Sequence, residues 1–438
     1  MAKRICMRMG KSPFATLDLF ESDRRNVTGT NSGNMLFAQS VYKTLSADGV
    51  TIGRHGYAAK PRQAEIINEK YDALVLPMAN AFRNKWQQPL EAYCELIEKL
   101  KIPVVVAGIG AQTDLDYNLD NLAPIEAVTK RFVTAVLDRS ASIGVRGECT
   151  AGFLKKLGFP SGSIEVIGCP SMFMYGADLP VPKPVRKITT ASKISINVTS
   201  SHKTGTFRDG LDTMLAIADA HVKKYPNSIL VCQEGRSLTT MLWGDGAGRG
   251  TEYDGISPEA IRALSAGGRA RFYVDPNSWF EELGGCDFSF GTRLHGNISA
   301  ILGGTPCLMV ATDSRTRELG ELFNIPWRRV DELNSTTDVA DLARGADFSK
   351  MISGHGERFA AYRSFMKRND LPFSYDDPTR APAFESRLAA TSLAPPAKGV
   401  NQDPTMGQLV RIRAETNVAL KKLSRRVNKL QAQVAKSR

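Results

Sequence analysis

The chain has 438 residues, of which 42% are hydrophobic and 23% charged, and a formal net charge of +12. That length exceeds one compact core and calls for two domains with a tail, and the ordinary apolar content excludes a disordered or fibrous chain. The positive balance favours an anionic partner (phosphate, nucleotide, nucleic acid or anionic membrane), although much of it sits in the C-terminal tail.

In chain order, the N-terminal MAKRICMRMGKSPF is basic without an apolar core, which argues against a signal peptide. A glycine loop, NSGN at 31–34, runs into a predicted helix over Leu36–Leu45. Short β-branched runs at Ala73–Leu76, Val104–Ala107, Ile143–Val145 and Ile164–Ile167 read as strands of a parallel sheet buried on both faces. Predicted helices at Leu90–Leu100, Ile125–Leu137 and Ala151–Leu157 alternate with them. LPVPKPVRK, at 179–187, breaks the pattern as a semi-rigid linker.

The second half repeats the logic. Strands are expected at Ile194–Val198, Ile229–Cys232, Phe272–Val274, Phe288–Phe290 and Cys307–Val310, and helices at Leu211–Lys224, Pro258–Leu264 and Ile298–Leu302. Strand–helix alternation in both halves predicts an α/β protein of two Rossmann-like domains facing a cleft, the glycosyltransferase-B-like arrangement, with a C-terminal helical tail. The expected boundaries are 1–180 for the first domain, 181–190 for a linker, 191–375 for the second domain, 376–407 for a Pro-rich flexible connector and 408–438 for a basic amphipathic or coiled-coil helix.

In that last segment Leu420, Leu423, Val427, Leu430 and Val434 keep the 3-4 spacing of a coiled-coil seam, while Lys421, Lys422, Arg425, Arg426, Lys429 and Lys436 line the other faces. Three readings stay open: a homo-oligomerising coil, a helix lying on an anionic membrane surface, and a solvated tail. The seven cysteines show no CxxC or paired spacing, and Cys232, Cys286 and Cys307 fall in apolar runs. A reducing, cytoplasmic setting follows, peripheral at the inner face of the membrane if the tail binds lipid. No run is long enough to span a membrane. No basic patch with interleaved aromatics outside the tail points to nucleic acid.

The most informative stretch is CDFSFGTRLHGNISAILGGTPCLMVATDSRTREL, 286–319. Arg293 and His295 follow a short buried strand with one residue between them, so on an extended exit they would share a face: a fixed cation beside a titratable imidazole. Gly291 and Gly296 bracket the pair and permit close approach of a ligand. A helix start after them would favour an anion. Arg146 ends another strand; its bland alternative is an ion pair with Glu148. Asn31, Gly33 and Asn34 in the glycine loop, Asn80 after LVLPMA, and Gly110 and Gln112 in GIGAQ lie where sheet carboxyl ends bind ligands. Asp313 and Glu318 could supply a base or join a surface ion-pair network. DLD at 114–116 mimics a metal-binding triplet but lacks a preceding strand, so no metal site is expected.

RLHG with its apolar helix, GGTP and DSRTREL, taken with NSGN, LVLPMANAFR, IPVVVAGIGAQ, SIGVRGECTAGFLKKLG and ISINVTS, resembles the polysaccharide pyruvyl transferase family over roughly residues 28 to 330. Two positions depart from it: Gly147 and Cys169 stand where the resemblance leads one to expect acids. The resemblance implies an enzyme of exopolysaccharide, capsule or cell-wall biosynthesis. It would transfer the enolpyruvyl unit of phosphoenolpyruvate to a sugar or lipid-linked glycan, form a pyruvate ketal and release phosphate, with no further cofactor. On that reading Arg146 and Arg293 clamp the donor's carboxylate and phosphate, and His295 protonates its methylene carbon. Asp313 or Glu318 serves as base. A nucleotide-sugar glycosyltransferase and a non-catalytic assembly protein are the alternatives.

Overall fold

The computed structural model describes residues 3–199, 208–243, 264 and 267–399, and in the C-terminal stretch 405, 409, 412–413, 415–416, 419–420, 422–427 and 430. The first domain is built on a parallel sheet of β1 (Lys3–Met7), β2 (Val50–Arg54), β3 (Ala73–Pro77) and β4 (Val104–Ala107), in the order β2-β1-β3-β4. Every residue of β3 and β4 is buried, as their unbroken apolar runs require. A separate parallel pair, β5 (Ile143–Val145) and β6 (Ile164–Val166), lies beyond β4 and is joined to its end by an isolated bridge from Ile109 to Val145. The Ile109 N–H donates to Gly144 O at 3.1 Å, and the Arg146 N–H to Ile109 O at 2.8 Å.

The second domain holds β7 (Ile194–Asn197), β8 (Ile229–Cys232), β9 (Ala270–Phe272), β10 (Phe288–Gly291), β11 (Cys307–Ala311), β12 (Trp327–Arg329) and β13 (Ala397–Lys398). Their order is β12-β11-β10-β7-β8-β9-β13, parallel except for β13. Counted from β7, the six parallel strands run 3-2-1-4-5-6, so the order reverses between β7 and β10, and a crevice for ligands opens at their carboxyl ends. Residues just past strands of both sheets meet there. Asn31 forms a bridge with Glu234, and the Thr113 N–H donates to Ser314 Oγ at 2.9 Å while the Ser314 N–H returns to Thr113 O at 3.2 Å.

The chain is α/β with two doubly wound units, as its alternation predicts, and its structure departs from the reading in identifiable places. β1, whose run opens Lys-Arg, and the short edge strands β2, β12 and β13 carry too weak an apolar signal to stand out. The predicted helix at Pro258–Leu264 lies outside the described residues apart from Leu264, which is helical. Residues 376–407 are not a plain connector. Arg380–Ala389 is a helix whose Phe384 and Leu388, one turn apart, are buried, and β13 pairs with β9. Before it, the helix His355–Arg368 crosses back onto the first domain, where Tyr362 stacks on Phe173 with centroids 5.1 Å apart and Asp370 pairs with Lys3 at 2.8 Å. The second domain's chain therefore ends by packing on the first. The described residues between 409 and 430 are helical, with Leu409, Ile412, Leu420, Leu423, Val427 and Leu430 exposed. Among the described residues no helix is long and apolar enough to cross a membrane.

Candidate active site

Arg146 emerges from β5 directly into the seam between the sheets. Gly110 makes room for it, since a Cβ there would lie 3.2 Å from Arg146 Cδ and 3.0 Å from Ala79 O. The guanidinium is 2% exposed, yet its Nε and Nη2 have no hydrogen-bond partner. Buried donors are almost always satisfied, so two orphans on one cation mark a place for an acceptor. Burial lowers the Arg146 pKa, with Cys169, Glu318 and Asp313 opposing the shift and Arg315 adding to it.

His295 lies beside this cation. The helix predicted to start near Ile298 begins at Leu294, with Arg293 as an extended N-cap. That one turn changes the geometry. Two residues apart on a helix means roughly 200° of rotation, so Arg293 and His295 do not share a face. The imidazole points toward the first domain. A Cβ on Gly33 would sit 2.4 Å from its Nδ1, and Cys169 Sγ lies 3.8 Å from its Nε2. Burial, and then the charge of Arg146, push its pKa down to about 3, so the ring is neutral at physiological pH.

Arg293 turns the other way and is already engaged. Its Nη1 pairs with Glu234 Oε1 at 2.7 Å, its Nε reaches Val198 O at 3.4 Å, and its backbone N–H donates to Asn197 Oδ1 at 2.9 Å. Asn197, at the end of β7, also donates to Asn297 Oδ1 at 3.2 Å and thereby braces the strand-order reversal. Gly296 serves that packing rather than a ligand, because a Cβ there would be 2.7 Å from Asn197 Cγ.

The glycine loop is likewise self-braced. Asn31 Oδ1 accepts from the Gly33 N–H at 2.9 Å, and Asn34 Nδ2 donates to Thr28 O at 3.0 Å. Gly33 alone of the three touches the imidazole, at the start of the helix Gly33–Leu45. On the Arg146 side, Gln112 Nε2 donates to Asp313 Oδ2 at 3.1 Å. Asn80 Nδ2 donates to Gln112 Oε1 at 3.2 Å in one amide orientation; in the other its oxygen accepts from Arg315 Nη1 at 3.0 Å and Arg83 Nη1 at 3.3 Å. Asp313 caps the helix Ser314–Phe323 and pairs with Arg315, so its carboxylate is committed to structure.

Glu318, 3% exposed on that helix, takes the Thr150 N–H at 3.3 Å and the Thr150 Oγ1–H at 3.1 Å. Burial pushes its pKa up to about 7 against the pull of Arg146 and Thr150, so it exchanges a proton near neutrality. Gly147 explains part of this geometry: a Cβ there would lie 2.6 Å from Glu318 Oε2. The glycine at one departure from the resemblance thus clears space for a carboxylate from the other domain. Four residues of the site gave no decisive sign in the sequence. Asn197 and Glu234 act through contacts distant in sequence, Arg83 sits in an irregular loop, and Cys169 stood out only as a departure. Among the described residues no group of three or more His, Cys, Asp or Glu is placed to hold a metal ion. An open polar groove of about 420 Å³, lined by Asn84, Lys85, Gln87, Gln88, Pro89 and Glu91, shares none of the site's residues.

A family model described as polysaccharide pyruvyl transferase matches residues 31–314. No curated protein matches the chain significantly. Among solved structures, Anabaena HepE in complex with UDP and glucose aligns with TM-score 0.42 at 12% identity, over 89% of this chain and 100% of that one. S. aureus MnaA with UDP aligns at 0.39 and 11%, over 90% and 99%. A UDP-GlcNAc 2-epimerase from Methanocaldococcus jannaschii aligns at 0.41 and 10%, over 83% and 99%.

Proposed function

The chain belongs to the polysaccharide pyruvyl transferase family, and from that premise we propose that it moves the enolpyruvyl unit of phosphoenolpyruvate onto two hydroxyls of a sugar, in a polysaccharide or a lipid-linked precursor, giving a cyclic ketal and phosphate. The observation that carries this reading is Arg146, a buried guanidinium with two donors unmet at the seam of the two domains. An anion bearing carboxylate and phosphate supplies the missing acceptors, and a guanidinium holds either group in bidentate fashion. Arg293, the second half of the expected clamp, is held by Glu234 and shapes the opposite wall.

In this reading His295 works as a neutral imidazole. It takes the proton of an attacking hydroxyl, and a donor anion on Arg146 removes one of the two causes of its low basicity. Glu318 accepts or returns the other hydroxyl proton near neutral pH. Calorimetry decides the donor: phosphoenolpyruvate should bind without added metal and more tightly than UDP-glucose. Phosphate release with a panel of sugar acceptors then reads the reaction. UDP-glucose binding with no phosphoenolpyruvate signal overturns the proposal in favour of a nucleotide-sugar transferase.

A further inference from the structure

Cys169 touches the imidazole, and neither the family premise nor the mechanism above uses it. It follows β6 at the start of a short turn, Pro170–Phe173, fixed by the Met172 N–H on Cys169 O at 3.0 Å. Its Sγ lies 3.8 Å from His295 Nε2, within reach of a sulfur hydrogen bond. Arg146, the buried cation with unmet Nε and Nη2, acts electrostatically on both that imidazole and Cys169. The hydroxyl of Ser171, two residues on, is buried and unpartnered too. A thiol, an imidazole and a guanidinium with two unmet donors thus lie in one enclosure. The other buried cysteines lack that company. Cys94 sits among apolar side chains, where burial raises its thiol to about 11, and burial alone raises Cys307.

We propose that the Cys169 thiol is a further catalytic residue of this site: the acid that gives its proton to the methylene carbon of an enolpyruvyl phosphate anchored on Arg146. The proposal rests on the donor reading above. The S–H bond breaks, and the C2=C3 electron pair forms the new C3–H bond. C2 is left as an oxocarbenium, and the thiolate faces the guanidinium. The first sugar hydroxyl bonds to C2, and its proton passes through His295 back to sulfur. The second hydroxyl displaces phosphate, which departs with the remaining proton. The thiol is restored, and no oxidant or reductant is consumed. The neutral state of His295 agrees with a relay rather than the initial donor.

Two measurements on the full chain test this. First, cysteine labelling with methyl methanethiosulfonate is resolved by peptide mass spectrometry. Cys169 should react faster than the core residue Cys307, and phosphoenolpyruvate at about 100 times its Kd should slow Cys169 by about two orders of magnitude. Second, phosphoenolpyruvate is incubated in D2O. The native protein should place deuterium on C3, in phosphoenolpyruvate or in pyruvate formed by water capture. Cys169→Ala should lose this by about 100-fold or more while binding phosphoenolpyruvate as before. If phosphoenolpyruvate binds but leaves Cys169 labelling unchanged, or Cys169 reacts no faster than Cys307, the thiol does not face the donor and the proposal falls. Deuteration at the native rate in Cys169→Ala, or none in the native protein, overturns the acid role while the donor reading stands. Absence of phosphoenolpyruvate binding by calorimetry overturns the donor reading itself.

Discussion

Arg146 and Arg293 look alike as letters: each follows a short buried strand, each sits near a glycine, and each lies at the carboxyl end of its own sheet. In the fold they are opposites. Arg293 is surrounded by acceptors, with Glu234, Val198 O and Asn197 all committed to it. Arg146, more deeply buried, leaves Nε and Nη2 unmet. One wall of the seam has its donors met, and the other leaves two unmet, which on the proposed reading a ligand meets. A charge that is costly to bury unpaired is retained where binding energy offsets that cost.

That contrast makes the sharpest test. Arg146→Met should lose phosphoenolpyruvate affinity by at least about 30-fold, because truncating a buried charge contact costs roughly 2–5 kcal/mol. The same variant should be more stable than the native protein, by roughly 1–3 kcal/mol, since a buried charge with two unmet donors is gone. Arg293→Met should do the reverse: stranding Glu234 lowers stability by about 3 kcal/mol, while donor affinity falls far less. Calorimetry and thermal unfolding on both variants read the crossing. If Arg293→Met loses the donor and keeps its stability, the two arginines form the clamp expected from sequence and the contrast is wrong.

His295 extends the comparison to the proton. His295→Gln keeps shape and hydrogen bonding, and turnover should fall by about 10² to 10⁴-fold with donor affinity little changed. Its folded pKa, about 3, lies below the ordinary 6.5. The neutral ring's stabilising share is therefore fully present above pH 6.5 and lost as pH falls toward 3. Unfolding midpoints of the native protein should drop between pH 6.5 and 5 more steeply than those of His295→Gln. Parallel profiles would mean that the ring is not buried uncharged.

Glu318 has the opposite sign. Its folded pKa of about 7 exceeds its ordinary 4.5, so its contribution is complete below pH 4.5 and lost as pH rises through 7. Glu318→Gln should be more stable than the native protein at pH 8, by roughly 2–3 kcal/mol at most, and equal to it at pH 4. A variant less stable at pH 8 would show that the carboxylate's charge, facing Arg146, is worth more than its desolvation costs.

Runs such as VVVA of β4 and FSFG of β10 announce themselves, because a strand buried on both faces must be apolar throughout. What escaped the sequence was direction. RLHG reads equally well as a strand exit and as a helix start, since Gly296 weakens the helical signal; its close packing on Asn197 is a reason visible only in the fold. Arg146 was legible as a strand-end cation, but that it lacks a partner is a property of everything around it. Gly147 and Glu318 lie 171 positions apart and still share one space, which no local pattern encodes. The helix Arg380–Ala389 was hidden by Pro378 before it and Pro382 in its first turn, although its buried Phe384 and Leu388 keep helical spacing.

The C-terminal helix should have the smallest effect on the fold, and it contrasts with the seam in another way. The seam encloses unmet polar atoms, whereas the tail exposes unmet apolar ones: Leu409, Ile412, Leu420, Leu423, Val427 and Leu430. Its described residues include Arg413, Lys422, Arg425 and Arg426, with Glu415 the acid among them. Arg413 pairs with Asp23 of the first domain at 3.3 Å. With those apolar side chains exposed rather than packed on the fold, deleting residues after Gly407 should leave the unfolding midpoint and phosphoenolpyruvate affinity unchanged. An apolar stripe flanked by cations suits an anionic lipid surface, at about 1 kcal/mol per basic residue, screened within roughly 8 Å at physiological salt. Binding to vesicles containing phosphatidylglycerol should weaken as salt rises and vanish on truncation. A change of oligomeric state in light scattering, with no vesicle binding by either form, would make the stripe a seam between copies of the chain. A fall in the unfolding midpoint would tie the tail firmly to the rest of the fold.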